Sequence, residues 1–351
     1  MEKCRDTLVK ARKGRHERLT PEKEVPTMAW FDLPPEQLAK YNPAEKAPRD
    51  FDAFWKQTLA ESAQYPVDPH FVQITDPIYQ LVDVYDVTFR GYLGQPIKGW
   101  FIEPAGNEEK LPCLVTYIGY GGGRSLPVDH MLPAVAGLAH FVMDTRGQGS
   151  AWSSGHTPDN AADGQGPQYP GFMTRGIENR ESYYYRRVFV DAVRAVEAAG
   201  LNAHVDPQRI GITGGSQGGG ITVAAAGLLG KKVKVAMPEV PFLCHFRRAT
   251  TIVDSHPYGE IVAYLKTHRG RSAEIYNTLS YFDGMHFAPR ITARSLFSVG
   301  LMDTICPPST VYAAYNRLKA KKEIRVYDFN NHEGGGPFHA VERLQFAKKY
   351  L

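Results

Sequence analysis

The chain has 351 residues, of which 43% are hydrophobic and 22% charged, and this mixture excludes a disordered or fibrous protein. Its formal charge of +4 is too small to indicate a nucleic-acid partner, and the sequence has no apolar run of about 18 residues that would span a membrane. The four cysteines lie far apart, which argues against a disulfide framework or a structural zinc site and favours a reducing compartment.

The first 27 residues differ in composition from the rest of the chain. They contain eight lysines and arginines and five acidic residues, and they lack the apolar stretch of a secretory signal. We interpret 1–27 as a basic, disordered N-terminal extension and place the native start at Met28. A basic tail that binds RNA or an anionic surface is the alternative. The remaining segment, 28–351, is predicted to form a single domain.

Hydrophobic periodicity predicts the elements that follow in chain order. Helical spacing over 49–62 predicts an amphipathic helix, and alternation in 82–89 and 97–102 predicts a β-hairpin that turns at 91–95. Continuous apolar runs then predict buried strands, and apolar residues spaced by three and four predict the helices between them. These strands are predicted at 114–118, 140–143, 209–213, 233–237, 295–299 and 324–329, and the helices at 188–199, 221–229, 310–318 and 341–350.

This order of elements indicates the fold class. Antiparallel strands followed by alternating strands and helices predict an α/β domain with a mostly parallel sheet that is covered on both faces. Two long insertions interrupt the alternation: 150–182 is polar and rich in Gly and Pro, whereas 241–289 has helical character. Because insertions of this length are commonly functional, we expect them to wall an active site or to make oligomer contacts.

The motif G-x-S-x-G at 214–218 contains the candidate nucleophile, Ser216. A predicted strand leads into the motif and a predicted helix follows it, which is the setting that exposes a nucleophilic serine. A glycine-rich phosphate loop is the alternative, but the segment lacks the Lys-Ser/Thr ending of that motif. A dinucleotide-binding loop is disfavoured because it would follow the first parallel strand.

A serine nucleophile needs a base and an orienting acid, which on α/β-hydrolase sheets follow in the order Ser, acid, His. His332 follows the last predicted strand in a glycine-rich loop and is the predicted base, with His339 as the alternative. Asp303 follows the strand at 295–299 by a short turn and is the predicted acid, whereas Asp328 lies inside a strand. The other downstream histidines, for which surface or packing roles are expected, are His245, His256, His268 and His286.

Backbone N–H groups are the predicted donors to a tetrahedral oxyanion. One donor is Gln217, the residue after the nucleophile. The second is Tyr120, in the glycine-rich segment 117–123 that follows an early strand, where a plain glycine turn is the alternative. Arg146 lies in a second glycine-rich segment, 144–149, and is expected to brace loops by ion pairing.

Four motifs together resemble the acetyl xylan esterase / cephalosporin C deacetylase family, carbohydrate esterase family seven, over about residues 28–351. They are YIGY at 117–120, DTRGQG at 144–149, GGSQGGG at 214–220 and NHEGG at 331–335. The resemblance implies an α/β-hydrolase that deacetylates small substrates, including acetylated xylo-oligosaccharides and cephalosporin C. It also implies an intracellular (cytoplasmic) homohexamer that uses no metal or cofactor. The implied site residues are Ser216 as nucleophile, His332 as base, Asp303 as acid, and Tyr120 and Gln217 as oxyanion donors.

A preference for acetyl over longer acyl groups requires a short pocket, for which Phe242 and Ile305 are the predicted walls. Two other classes of protein share the predicted fold. A serine peptidase of the prolyl-oligopeptidase type has the same order of catalytic residues, but it usually carries a propeller domain for which 27–213 is too short. A non-catalytic binding protein typically lacks one triad residue, whereas all three candidates are present here.

Overall fold

A mixed sheet of nine strands forms the centre of the described residues, which in this computed structural model are 30–160 and 171–351. The extension 1–27 and the start at Met28 lie outside the described residues, and the single domain over 28–351 stays a prediction. The strands are β1 (His70–Gln73), β2 (Val82–Arg90), β3 (Pro96–Pro104), β4 (Leu111–Tyr117), β5 (Ala139–Met143), β6 (Val205–Gly215), β7 (Val235–Glu239), β8 (Arg294–Gly300) and β9 (Lys322–Tyr327).

The strand order explains where a site can form. Across the sheet the order is β1-β2-β3-β5-β4-β6-β7-β8-β9, antiparallel from β1 to β5 and parallel from β5 to β9. Tyr117 pairs with Gly214, and Gly215 pairs with Glu239, so β4, β6 and β7 end at the same edge. Ligand sites of open α/β sheets lie outside the carboxyl ends of the strands, and the candidate residues follow these ends.

Helices cover both faces of the sheet. They are α1 (Pro35–Leu38), α2 (Phe51–Ala63), α3 (Leu132–Val135), α4 (Tyr184–Gly200), α5 (Gln217–Leu229), α6 (Phe246–Ile252), α7 (Tyr258–Thr267), α8 (Ser272–Ser280), α9 (Gly284–Phe287), α10 (Pro308–Arg317) and α11 (Gly336–Tyr350). Val115 points into the large core shared with α2, α4, α5 and α10, whereas its neighbour Leu114 points into a smaller core shared with α11. This alternation follows from the period of two along a strand.

Several boundaries differ from the sequence prediction. The helix after Ser216 begins at Gln217 rather than at 221, so its first turn contains glycines, which have a low helix propensity. Tertiary packing requires glycine in this turn, because a Cβ at Gly220 would lie 2.2 Å from the carbonyl oxygen of Phe242. The last helix begins at Gly336 rather than at 341, with a proline in its first turn, where proline is tolerated. Strand β1 was not predicted, since its four residues are mostly exposed and pair with β2 through the main chain.

The two insertions differ in structure. The segment 241–289 contains α6, α7, α8 and α9, which confirms its predicted helical character. The described parts of 150–182 form turns and extended chain, and 161–170 lie outside the described residues. In the part of the chain that the structure describes, no helix has the length and apolar character needed to cross a membrane.

Arg146 is the centre of a buried ion-pair network. Its Nε donates to Asp191 over 2.5 Å and its second terminal nitrogen donates to the other oxygen of that carboxylate over 2.8 Å. Asp159 lies 3.5 Å away on the opposite side. Because Asp191 belongs to α4, the guanidinium ties the segment 144–149 to the helix layer, which confirms the expected bracing role.

We expect Arg146→Met to lower the free energy of unfolding by about 3–5 kcal/mol, because the substitution leaves the buried carboxylate of Asp191 without its cation. The matched control is Arg209→Met, which breaks a solvent-screened pair with Asp206 and should leave the free energy of unfolding close to that of wild type. Urea unfolding followed by circular dichroism measures both values. Equal losses in the two variants would contradict the bracing role.

Candidate active site

Ser216 lies on a tight turn between β6, which ends at Gly215, and α5, which begins at Gln217. Its φ of 56° and ψ of −117° are a strained conformation for a residue with a side chain. Close packing forces this turn: a Cβ at Gly214 would lie 2.6 Å, and one at Gly218 2.2 Å, from the carbonyl oxygen of Tyr117. The turn therefore has the geometry that exposes a nucleophilic serine at the edge of the sheet.

His332 and Asp303 form a hydrogen-bonded pair in which the Nδ1 of the ring lies 2.9 Å from Oδ2 of the carboxylate. Asp303 is fully buried, and its Oδ1 accepts the backbone N–H groups of Ile305 and Cys306, each over 2.8 Å. All of these donors fix the carboxylate in one orientation. The pair is therefore suited to hold the imidazole in a single tautomer, the role of the acid in a Ser-His-Asp triad.

Main-chain contacts between two loops explain why this pair forms. The carbonyl oxygen of Asn330 accepts the N–H of Met302 over 3.1 Å, and the side chain of Asn331 accepts the N–H of Thr304 over 3.2 Å. At the base of the first loop, a Cβ at Gly300 would lie 2.3 Å from the carbonyl oxygen of Asn331. The loop after β9 thus packs on the turn after β8, and this contact brings residues 29 apart along the chain together.

A pocket of about 640 Å³ opens at this edge of the sheet. It brings together four of the predicted site residues, Ser216, His332, Tyr120 and Ile305. Among the described residues no hydrogen bond joins the Ser216 hydroxyl to the His332 ring, and catalytic hydrogen bonds often tighten only when substrate binds. The full set of lining residues is Tyr117, Ile118, Gly119, Tyr120, Trp152, Gly215, Ser216, Glu239, Val240, His256, Pro257, Ile305, His332 and Glu333.

Cys306 lies beside the triad candidates and was not identified from the sequence. Burial raises the pKa of its thiol well above the ordinary value, the charge of Asp303 raises it further, and the hydroxyl of Ser216 opposes this. Potential ligand atoms of Asp303, Cys306 and His332 lie within 4.8 Å of one another, a donor set that zinc accepts. Both Asp303 oxygens already accept N–H groups, so hydrogen bonding accounts for this arrangement without an ion.

Two glutamines connect the segments that carry the predicted oxyanion donors. Oε1 of Gln148 accepts the N–H of Gly121 over 2.7 Å, and its Nε2 donates to Oε1 of Gln217 over 2.7 Å. Gln217 in turn donates to the carbonyl oxygen of Ile118 over 3.1 Å. The loop that contains Tyr120 and the first turn of α5, whose N–H groups lack helical partners, are thereby held at a fixed separation.

The structure places the remaining candidates away from the pocket or in unexpected roles. Phe242 is fully buried behind the pocket, where its ring lies 6.3 Å from that of Tyr120, so the structure does not bring it to the lining. His339 is also buried and contacts the hydroxyl of Tyr327 over 3.1 Å. His256, for which a surface or packing role was expected, instead lines the pocket.

Trp152 is a pocket residue that sequence reasoning missed. Its indole Nε1 donates to the carbonyl oxygen of Tyr120 over 2.8 Å, yet 64% of the residue stays exposed. The ring fills the space left by the glycine run at 121–123, since a Cβ at Gly122 would lie 2.2 Å from it. That run was the available signal, because consecutive glycines after a strand indicate that another side chain packs on the backbone.

Comparison with known proteins shows the family of the chain. A family model for acetyl xylan esterase (AXE1) matches residues 28–350. The chain belongs to the acetyl xylan esterase family. The solved acetyl xylan esterase of Paenibacillus sp. R4 is 43% identical, with a TM-score of 0.85 over 91% of this chain and all of that one. Acetyl xylan esterase 1 of Thermoanaerobacterium sp. JW/SL YS485 is 31% identical, with a TM-score of 0.83 over 92% of this chain and all of that one.

More distant likenesses extend the comparison. Acetyl esterase Axe7A of Xylanibacter ruminicola is 27% identical over 314 residues, which are 85% of this chain but only 66% of that protein. An acylaminoacyl peptidase of Pyrococcus horikoshii is 20% identical, with a TM-score of 0.56 over 78% of this chain and 43% of that one. The peptidase shares the fold alone. Together with the two solved esterases, these comparisons confirm the predicted α/β-hydrolase fold.

We expect Gly218→Ala to cost about 1–3 kcal/mol of the free energy of unfolding, because its methyl group would collide with the carbonyl oxygen of Tyr117. Gly215→Ala is the matched control in the same motif: a Cβ there meets no atom within 4 Å. Thermal unfolding by calorimetry measures both variants. A loss as large at Gly215 as at Gly218 would show that backbone packing does not define this turn.

Proposed function

We propose that this member of the acetyl xylan esterase family is a serine esterase that removes acetyl groups from small acetylated saccharides, including xylo-oligosaccharides. Family membership supports ester hydrolysis. One observation supports the catalytic assignment above all others: His332, which is paired with the buried Asp303, lines the same pocket as a serine on a strained strand-to-helix turn.

The proposed reaction is acyl transfer in two halves. Ser216 attacks the acetyl carbonyl carbon while His332 accepts the hydroxyl proton, and Asp303 stabilises the imidazolium. The N–H groups of Tyr120 and Gln217 donate to the oxyanion. The tetrahedral intermediate collapses when His332 returns the proton to the departing alcohol, which leaves acetyl-Ser216. Water then attacks this ester by the same steps and releases acetate.

The shape of the pocket supports a small acetylated ring as substrate. Its volume of about 640 Å³ lies in the range of small-molecule sites. Ile305 contributes an apolar side chain to the lining, and the exposed indole of Trp152 offers a flat apolar face to a sugar ring. Cephalosporin C carries the same acetyl ester, and we propose it as a second substrate.

The first test compares wild type with Ser216→Ala on acetylated xylobiose, cephalosporin C and p-nitrophenyl butyrate. We expect wild type to hydrolyse the two acetyl esters, and the variant to keep less than about a hundredth of that activity because the nucleophile is absent. Ser280→Ala is the control, since its hydroxyl donates to the carbonyl oxygen of Asn277 in its own helix and the residue lies outside the pocket lining. More than about a hundredth of the activity in Ser216→Ala would overturn the nucleophile assignment.

Two rival functions are separated by further assays. A peptidase would cleave a prolyl-peptide substrate, whereas we expect turnover of p-nitrophenyl acetate and none of the peptide. A non-catalytic binding protein would form no adduct with a serine-directed phosphonate under conditions that label a control esterase. We expect one adduct per chain, on Ser216.

We also propose that the protein is a homohexamer that works in the cytoplasm. The buried cysteines Cys113, Cys244 and Cys306 carry free thiols, which suits a reducing compartment. Phe329 and Phe338, in the loop and helix after edge strand β9, are 82% and 83% exposed, and a second copy of the chain would cover such apolar groups.

We expect light scattering after size exclusion to give about six times the chain mass of 39.1 kDa. Phe338→Glu should lower this mass, because a charge would replace the apolar contact, whereas Glu108→Gln, a change of charge in the exposed loop between β3 and β4, should not. A wild-type mass equal to one chain would contradict the proposed assembly.

A further inference from the structure

Glu260, on α7 of the insertion 241–289, is a buried carboxylate outside the proposed triad. Only 3% of the residue is exposed. Its Oε1 accepts the hydroxyl of Tyr120 over 2.6 Å and its Oε2 accepts the N–H of Met173 over 3.0 Å. Burial raises the pKa of this carboxyl, while these hydrogen bonds and the nearby His256 lower it. Burying a carboxylate is unfavourable unless it is paired or hydrogen-bonded, and here the hydroxyl of Tyr120 supplies one of the hydrogen bonds.

Hydrogen bonds to the side chain and the main chain of Tyr120 hold this residue in place. Its phenol oxygen accepts the N–H of Phe172 over 2.6 Å while the O–H donates to Glu260. Its carbonyl oxygen accepts the indole N–H of Trp152 over 2.8 Å, and the N–H of the next residue donates to Gln148 over 2.7 Å. These contacts hold the side chain of Tyr120 and the peptide that follows it, and so they restrain the residue whose N–H is the proposed oxyanion donor.

Gly171 packs closely against the carboxylate of Glu260. A Cβ at Gly171 would lie 2.2 Å from the carboxylate, so the described end of the first insertion packs directly on it. Glu260 itself comes from the second insertion, and Tyr120 follows β4. Three segments distant in sequence therefore meet at one carboxylate next to the pocket.

We propose that Glu260 is a positioning residue for the oxyanion hole. The inference rests on the proposed function, in which the N–H of Tyr120 donates to the tetrahedral oxyanion. By fixing the phenol, Glu260 keeps this N–H aimed at the position of the oxyanion rather than at that of the ground-state carbonyl oxygen. Loss of an oxyanion donor lowers kcat by about 10²–10³-fold, and a displacement of about 1 Å lowers it by about 10²-fold.

The experiment measures kcat and KM for p-nitrophenyl acetate in Glu260→Gln and Tyr120→Phe, per active site as counted with a phosphonate. We expect kcat to fall about ten- to a hundredfold in each variant while KM changes by less than about threefold, because the lost interaction acts in the transition state. Affinity for methylboronic acid, which forms a tetrahedral adduct with serine, should fall with kcat. The double variant should be no worse than the worse single variant, since both substitutions disturb the same contact between Tyr120 and Glu260.

The matched control is Glu103→Gln. Glu103 is equally buried, at 1% exposure, but contacts His204 over 2.8 Å at a position outside the pocket lining. We expect its kcat per active site to stay within about threefold of wild type. If Glu260→Gln does not fold, Tyr120→Phe, which keeps the ring, carries the test.

Two outcomes would overturn the inference, and they differ from failure of the proposed function. In the first, Glu260→Gln lowers stability or the number of active sites but leaves kcat per site and boronate affinity within about threefold of wild type. In the second, KM rises while kcat is unchanged. Ser216→Ala is assayed in parallel: if it stays active, the proposed function fails, whereas if it is inactive and either outcome is found, only the role of Glu260 fails.

Discussion

Close packing of two glycines against the carbonyl of Tyr117 is the constraint on which the rest of the site depends. With Gly214 and Gly218 pressed on the end of β4, the chain has to reverse within one residue, and Ser216 takes a positive φ. The same contact starts α5 directly after the serine and leaves its first N–H groups without helical partners. Nucleophile, helix terminus and the loop after β4 therefore form one rigid unit.

Long-range hydrogen bonds bring the other components to this unit. The loops after β8 and β9 join through their main chains and carry the Asp303–His332 pair. Gln148 connects the loop after β4 to the start of α5, and the buried ion pair of Arg146 holds the segment of Gln148 on α4. The sheet fixes where each strand ends, while side chains from distant segments fix how the loops meet.

The sequence predicts those features of the structure that follow from local hydrophobic periodicity and from the order of strands and helices. Chain order and strand ends selected Asp303 and His332 as candidates, and the structure brings these two side chains into contact because the carboxyl ends of parallel strands share one edge. Phe242 was predicted to be a pocket wall, but periodicity does not tell whether an apolar side chain faces a cavity or lies behind it. Its full burial shows the second arrangement.

Residues from the insertions could not be predicted. Trp152, His256 and Glu260 reach the site through chain paths that no period of two or 3.6 specifies. In the sequence, Cys306 cannot be told from an ordinary buried cysteine, and only the folded loop shows that it lies beside Ser216. The predicted starts of α5 and α11 were also wrong. Both helices begin earlier than predicted, because their first turns contain glycine or proline, residues of low helix propensity.

The central claim is that Ser216 carries the acetyl group during turnover. The most direct measurement mixes the enzyme with p-nitrophenyl acetate, stops the reaction with acid within one turnover and maps the peptides by mass spectrometry. The account predicts a single acetyl group on the peptide that contains Ser216. Acetylation of a different residue, such as Cys306, or release of nitrophenol without any acetylated peptide, would contradict it.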